Sequence, residues 1–416
     1  MSEVFEEHGT NFGVSKTLEL KSFLLKGLAM SDFKQDSGYG NCALMSSLAG
    51  ISQRSEFRTE IAPEIRPTTT EGGLEFRFRM FLRGKPVVVT TTDGGNDAIL
   101  ADESCLRRRV AKAAEKAFVE LICNGKHQFS ERTVSKNAFA AFSDCMVTFF
   151  DGGDRNDKRK KKLLKYLFTE MKNKSSVTLS ITPAHFYDES EKSDGHSYLV
   201  VDCNKKHNAL KLYDPHCNPN TILVLDEKLP RTLTSKADPL KGEFWYRVDN
   251  LLNRKVKLYS LHAKSKYKSV LKLTKRMELK GGKLKTKKAA YRVTVEEASS
   301  FVVNFFSYVN ESDVFLTITT VGPNRREVQP KFKLQDQAQL FKETPNQVGN
   351  PKSEYFQEFD LQPGAYKFAF KFVSSYKSLM TKKENWLLKV ACTSQCVFEK
   401  VRRLKYSELR RRVFEH

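Results

Sequence analysis

With 416 residues and a formal net charge of +22, the chain is too long for one ordinary core and is expected to fold as two or three domains. Its 11% aromatic content, including 30 Phe, excludes an intrinsically disordered chain, because so much ring surface gains from burial. No run approaches the roughly 18 apolar residues of a membrane-spanning helix. The start, Met1-Ser-Glu-Val-Phe-Glu-Glu-His8, lacks the basic and apolar parts of a secretory leader, so a cytoplasmic protein is expected.

Residues 1–30 are polar around a short apolar patch, Phe23–Ala29, and read as an N-terminal arm. A short helix is expected from Asn41-Cys-Ala-Leu-Met-Ser-Ser-Leu-Ala-Gly50. Asn41 can cap its start, Cys42, Met45 and Leu48/Ala49 share a face, and Gly50 can close it. Leu74–Leu82 and Pro86–Thr92 read as a hairpin across Arg83-Gly-Lys85, ended by a turn at Asp93-Gly-Gly-Asn-Asp97. Ser104–Cys123 carries Val110, Ala113/Ala114, Ala117/Phe118 and Leu121 at helical spacing.

Asp154–Lys162 opens a further helix to Met171 with the basic run Lys158–Lys162. A solvated helix face outweighs a nuclear-import or nucleic-acid patch for such runs. Ser176–Pro183 is strand-like. Beyond about 262 the pattern changes to alternating strands: Tyr291–Val295, Ser300–Ser307, Asp313–Thr320, Gly364–Val373 and Trp386–Ala391. Closely spaced strands with few helical signals predict a separate all-β sandwich.

Two places carry chemistry. Cys42 stands at a helix start behind Ser37-Gly-Tyr-Gly-Asn41. A helix N-terminus favours negative charge and lowers a thiol's pKa, and its N–H groups can help hold an oxyanion. Taken alone, such a cysteine is more often simply packed. The second place is a hairpin, Gly195–Asp202 returning as Ala209–Tyr213. Folded about Lys205, it sets His196 opposite Asp214, within reach for the carboxylate to orient the imidazole.

Cys203, His207, His216 and Cys217 are a rival zinc set, but the same hairpin separates the first two from the last two by about 20 Å at 3.3 Å per strand residue. Cys392 and Cys396, four apart without a neighbouring His, read as core packing. The eight cysteines are expected to be mostly reduced and mostly buried as small hydrophobes.

These residues resemble the calpain family of papain-like cysteine proteases. Ser37–Ala49 is similar to the family's nucleophile motif, Gly195-His-Ser-Tyr-Leu-Val200 to its Gly-His-Ala-Tyr motif, and Leu212-Tyr-Asp-Pro215 to its Asn-Pro segment. Further similarity lies in Gly84–Val89, in Ala114-Glu-Lys-Ala-Phe118, and in Gly242-Glu-Phe-Trp-Tyr246 with Val248–Leu252. The chain departs from the family with Asp214 for Asn, Ala43 for Trp after the nucleophile, and His216-Cys217 for Trp-Gly. Six residues before the nucleophile, where the family has an oxyanion Gln, stands Asp36, with Gln35 one further back.

The resemblance implies an α+β chain: a two-lobed papain-like core over 31–262 (lobes about 31–150 and 151–262), then a β-sandwich over 263–416. It implies a cysteine endopeptidase with catalytic Cys42, His196 and Asp214, and Gln35 as oxyanion candidate. The chemistry requires no cofactor; calcium enters through the resemblance alone, at no assigned site. Protein substrates follow, and the basic surface suits acidic phospholipid or acidic protein ahead of nucleic acid. The alternative is a catalytically impaired pseudoprotease acting as a binding module, which Ala43 and Asp36 motivate.

Overall fold

The computed structural model describes residues 28–35, 41–68, 73–82, 85–93, 103–122, 125, 135–151, 157–182, 196–217, 229–251, 255–277, 279–280, 283–284, 287–306, 312–321, 332–334, 354–374 and 384–401. Residues 1–27 of the expected arm, Asp36, Gly40 and the turn beyond Asp93 lie outside them. The fold mixes helices with several antiparallel sheets and divides into two compact units, the change falling between Lys266 and Tyr267.

The first unit opens with α1 (Cys42–Gln53), followed by α2 (Ser55–Ile61). A three-stranded sheet comprises β1 (Glu64–Pro67), β2 (Leu74–Leu82) and β3 (Lys85–Thr92), in that order. The β2–β3 hairpin forms where the alternating pattern predicts it. Against this sheet lie α3 (Glu103–Ile122) and α4 (Ser135–Phe142). Phe76, Phe78, Phe118, Phe139 and Phe142 fill their shared core, with Phe118 stacked on Phe142. Each such ring contributes roughly 1.5–3 kcal/mol by leaving water.

The remaining strands of this unit are β4 (Met146–Asp151), β5 (Ser176–Thr182), β6 (His196–Asn204), β7 (Ala209–Tyr213), β8 (Glu243–Arg247) and β9 (Lys255–His262). They form a six-stranded sheet in the order β4–β9–β5–β6–β7–β8. Helix α5 (Asp157–Lys172) packs on it through Leu163 and Leu167, while Lys161, Lys162 and Lys165 stay exposed. A short helix, α6 (Arg231–Thr234), buries Leu233 beside Trp245.

The second unit is built from strands alone among its longer elements. One sheet runs β10–β19–β14–β17, from β10 (Ser269–Met277), β14 (Ser299–Phe306), β17 (Glu354–Leu361) and β19 (Glu384–Cys392). The other runs β16–β15–β18–β13–β20, from β13 (Lys287–Val295), β15 (Ser312–Thr320), β16 (Phe332–Leu334), β18 (Gly364–Ser374) and β20 (Cys396–Lys400). A minor hairpin pairs β11 (Leu279–Lys280) with β12 (Lys283–Leu284). Alternate residues of both large sheets meet in one core, including Val293, Leu316 and Phe368 from one and Phe301, Phe359 and Val390 from the other. Period-two burial in the sequence thus reports the inward faces.

Candidate active site

Helix α1 is buried from Cys42 to Ser52. A helix apolar on every side takes its stability from packing rather than from an amphipathic stripe. Gly50 does not end it, contrary to the sequence expectation. It sits inside the helix, where an added Cβ would collide with Ser176 Oγ and approach Leu199 Cδ1 at 2.8 Å. The missing side chain lets α1 lie close against β5 and β6. Asn41 also departs from expectation. Its backbone carbonyl accepts from Leu44 and Met45 N–H at 2.9 and 3.0 Å, but its side chain does not cap the helix. Instead Asn41 Nδ2 donates to Glu115 Oε1 on α3.

His196 begins β6, and its Nε2 lies 2.9 Å from Asp214 Oδ1. The pair is not directly opposed, which corrects the simple hairpin. The turn spans 205–208, and the ladder starts Asn204–Ala209, Cys203–Leu210, Asp202–Lys211. Continued unbroken, that register would set Leu199 across from position 214 and put His196 on the other face. A bulge between Asp202 and Val200 skips Val201, so pairing resumes as Val200–Leu212 and Leu199–Tyr213. Position 214 then falls in line with Tyr198, and His196 reaches it as a diagonal neighbour on the same face. The His196–Tyr198 ring contact, at 4.6 Å, follows from that shared face.

Asp214 is fixed from several sides. Its N–H donates to Gly242 O at 2.8 Å, and its Oδ1 also accepts from His216 N–H at 2.9 Å. The His216 ring lies 4.8 Å from that of His196. Gly242 has φ +80°, and a Cβ there would meet Asp214 O at 2.5 Å and Cys217 Sγ at 2.9 Å. Gly242→Ala is therefore expected to cost about 1–3 kcal/mol in urea unfolding from backbone strain, with crowding added. An unchanged midpoint would contradict this packing.

The third group is the thiol. Burial alone would push Cys42 up; its hydrogen bond to His196, the charge of that ring, and the N–H groups of Ser197 and Ala43 outweigh burial and hold it below the ordinary 9.0. Because Nε2 is taken by Asp214, Nδ1 is the ring nitrogen left for the thiol. Burial likewise disfavours the His196 cation, but Asp214 and Cys42 together push the ring up to about 10. Burial raises Asp214, and the hydrogen bond and charge of His196 with the His216 N–H bring it below the usual carboxylate range. These directions agree on one charge pattern, a thiolate facing an imidazolium backed by a carboxylate.

Gln35 is buried, and its N–H donates to Pro215 O at 2.8 Å. Nearby, Tyr213 OH donates to Phe33 O at 3.0 Å. The segment before the nucleophile is therefore stitched to the segment bearing Asp214. The rival zinc residues separate as the hairpin predicts, Cys203 and His207 at its turn end and His216 and Cys217 past its open end. Calcium needs six to eight oxygen ligands. Among the described residues no group of three or more His, Cys, Asp or Glu side chains gathers to hold a metal ion.

Sequence reasoning missed Glu115, Ser197, His216 and Gly242 as parts of this site. Glu115 left a signal: it falls between Ala111 and Val119 at four-residue spacing, a carboxylate on a line of buried positions. The Ser197 N–H and the Gly242 conformation are backbone features without side-chain signatures.

Residues 14–219 match the calpain family cysteine protease domain. A search of curated proteins found no match. Among solved structures the chain is similar to the cysteine protease and lectin-like domains of Cwp84, a surface layer associated protein of Clostridium difficile. Identity there is 11% and the TM-score 0.18, covering 67% of this chain and 62% of that one. It is also similar to infectious bursal disease virus Gt strain, with 10% identity and TM-score 0.16, covering 55% and 61%. The chain thus spans less than two thirds of either structure's length. No helix among the described residues is long and apolar enough to cross a membrane. Residues 14–219, which hold Cys42, His196 and Asp214, are thus identified as a calpain family cysteine protease region.

Proposed function

We propose that the protein is a papain-like, two-lobed cysteine endopeptidase that makes limited cuts in intracellular proteins, followed by a regulatory β-sandwich. What supports this most is the continuous contact from Cys42 through His196 to Asp214, with the thiol lowered and the ring raised. The thiolate attacks a peptide carbonyl carbon and pushes its electrons onto oxygen. The Gln35 amide and the N–H groups at the start of α1 receive that oxyanion. As the carbonyl reforms, the C–N bond breaks and His196 gives its proton to the leaving amine, leaving a thioester on Cys42. Water then attacks the thioester, His196 takes its proton, and the acid product departs as the thiol pair is restored. Asp214 holds the ring in place throughout and stabilises its charge.

The test is cleavage of an unfolded protein such as casein by the full chain and by Cys42→Ser. The reading expects fragments from the first and none from the second. Equal cleavage would remove Cys42 from the reaction, and no cleavage by either, with both folded, would leave the impaired binding module as the better account.

A further inference from the structure

Cys392 closes β19 in the four-stranded sheet, and Cys396 opens β20 in the five-stranded one. Only Thr393, Ser394 and Gln395 separate them, so this short passage carries the chain from one sheet to the other. The two thiols are hydrogen-bonded to each other. Cys392 is fully buried, whereas Cys396 is only partly so. Both join the apolar core of this unit, and polar groups lie beside them. Ser394 Oγ lies 3.5 Å from Cys392 Sγ, Ser299 Oγ bonds Ser394 Oγ, and Cys396 N–H donates to Ser269 Oγ at 2.9 Å. Burial without polar contacts would serve two packed cysteines equally well. Two thiols in contact four residues apart are also placed to join once one of them is oxidised.

We propose that Cys392 and Cys396 form a reversible disulfide that clamps the passage between the two sheets. The electron balance is met by a peroxide of water-like size. The Cys392 thiolate attacks one peroxide oxygen, the O–O bond breaks, and hydroxide leaves with a sulfenic acid on Cys392. The Cys396 sulfur then attacks the Cys392 sulfur, the S–O bond breaks, and the thiol proton leaves with the oxygen as water. Two thiols are oxidised and one peroxide is reduced to two waters. The hydrogen bond from Cys396 and the hydroxyls of Ser394 and Ser299 hold the Cys392 thiol below its ordinary 9.0 against its burial. Cys392 is the attacking group of the proposal and Cys396 the resolving one. The cross-link fixes the end of β19 to the start of β20. The clamp depends on nothing at Cys42.

The experiment treats the full chain with hydrogen peroxide at one to five equivalents, then denatures, alkylates and maps it by mass spectrometry. The expected result is a peptide holding Cys392 and Cys396 that has lost two hydrogens, escapes alkylation at both positions and recovers it after dithiothreitol. Cys145 and Cys203 remain alkylated. Closing so short a loop should also raise the melting temperature by about 5 °C. In Cys396→Ser, Cys392 should proceed to the sulfinic acid. The proposal is overturned if both thiols stay alkylable in the unsubstituted chain, if Cys392 over-oxidises while Cys396 is present, or if either pairs with another cysteine.

Discussion

His196→Ala is expected to lower kcat/KM for peptide cleavage by at least about a thousandfold. General acid–base transfer alone contributes roughly 10²–10⁴, and groups that act as one unit lose most of their joint effect together. The same substitution removes the hydrogen bond and the charge that hold the Cys42 thiol down. Burial then acts with less opposition, so the thiol moves back up and alkylation by iodoacetamide near neutral pH slows in parallel. The two readouts must fall together. A variant that lost cleavage but kept the unsubstituted alkylation rate would show that His196 does not make the thiolate.

Asp214→Ala is the second large effect, because it removes the leading group that raises the His196 ring. The ring is buried, so an imidazolium without its carboxylate is costly, about 3–5 kcal/mol when one partner of a buried pair is removed. The sign follows from the directions of the shifts. Ion-pair reactivity appears as pH rises through the lowered Cys42 value and disappears as the imidazolium loses its proton near 10. Without Asp214 the upper limb must move below 10, so the window of activity narrows from its alkaline side. Stability follows the same logic. The contribution of His196 is complete below its unfolded value of 6.5 and is lost as pH rises towards about 10. That of Asp214 is present above 3.8 and is lost as pH falls below it. Asp214→Asn keeps an oxygen for Nε2–H, so it should retain activity within about tenfold. Equal loss in Asn and Ala would mean the charge, and not the hydrogen bond, carries the effect.

The sequence made the chemistry of the site more legible than its geometry. Cys42 and His196 stand in motifs whose residue types suit the proposed roles, and a regular hairpin points to Asp214. The actual hairpin is not regular. Its turn is centred between Lys206 and His207, a residue and a half beyond Lys205, which alone would put His196 and Asp214 on opposite faces. The Val201 bulge restores the shared face, and neither deviation has a composition that announces it. Gly50 shows the converse. A glycine near the end of an apolar run reads as a helix stop, yet here it answers to Ser176 and Leu199, which are far away in sequence. Asn41 reads as a cap for the same local reason, but its side chain ties to Glu115, 74 positions away. The strands of the second unit were readable because alternation is a local record of burial. Contact between Cys392 and Cys396 depended instead on how two strands enter two sheets.

Trapping of the acyl-enzyme tests the account most directly. The full chain is mixed with a peptide that it cleaves, quenched in acid within milliseconds, and its intact mass and peptides are read by mass spectrometry. The account predicts the N-terminal half of the peptide on Cys42, released by hydroxylamine as a thioester must be, and absent from Cys42→Ser. Cleavage without any adduct on Cys42, or an adduct on another residue, would contradict it.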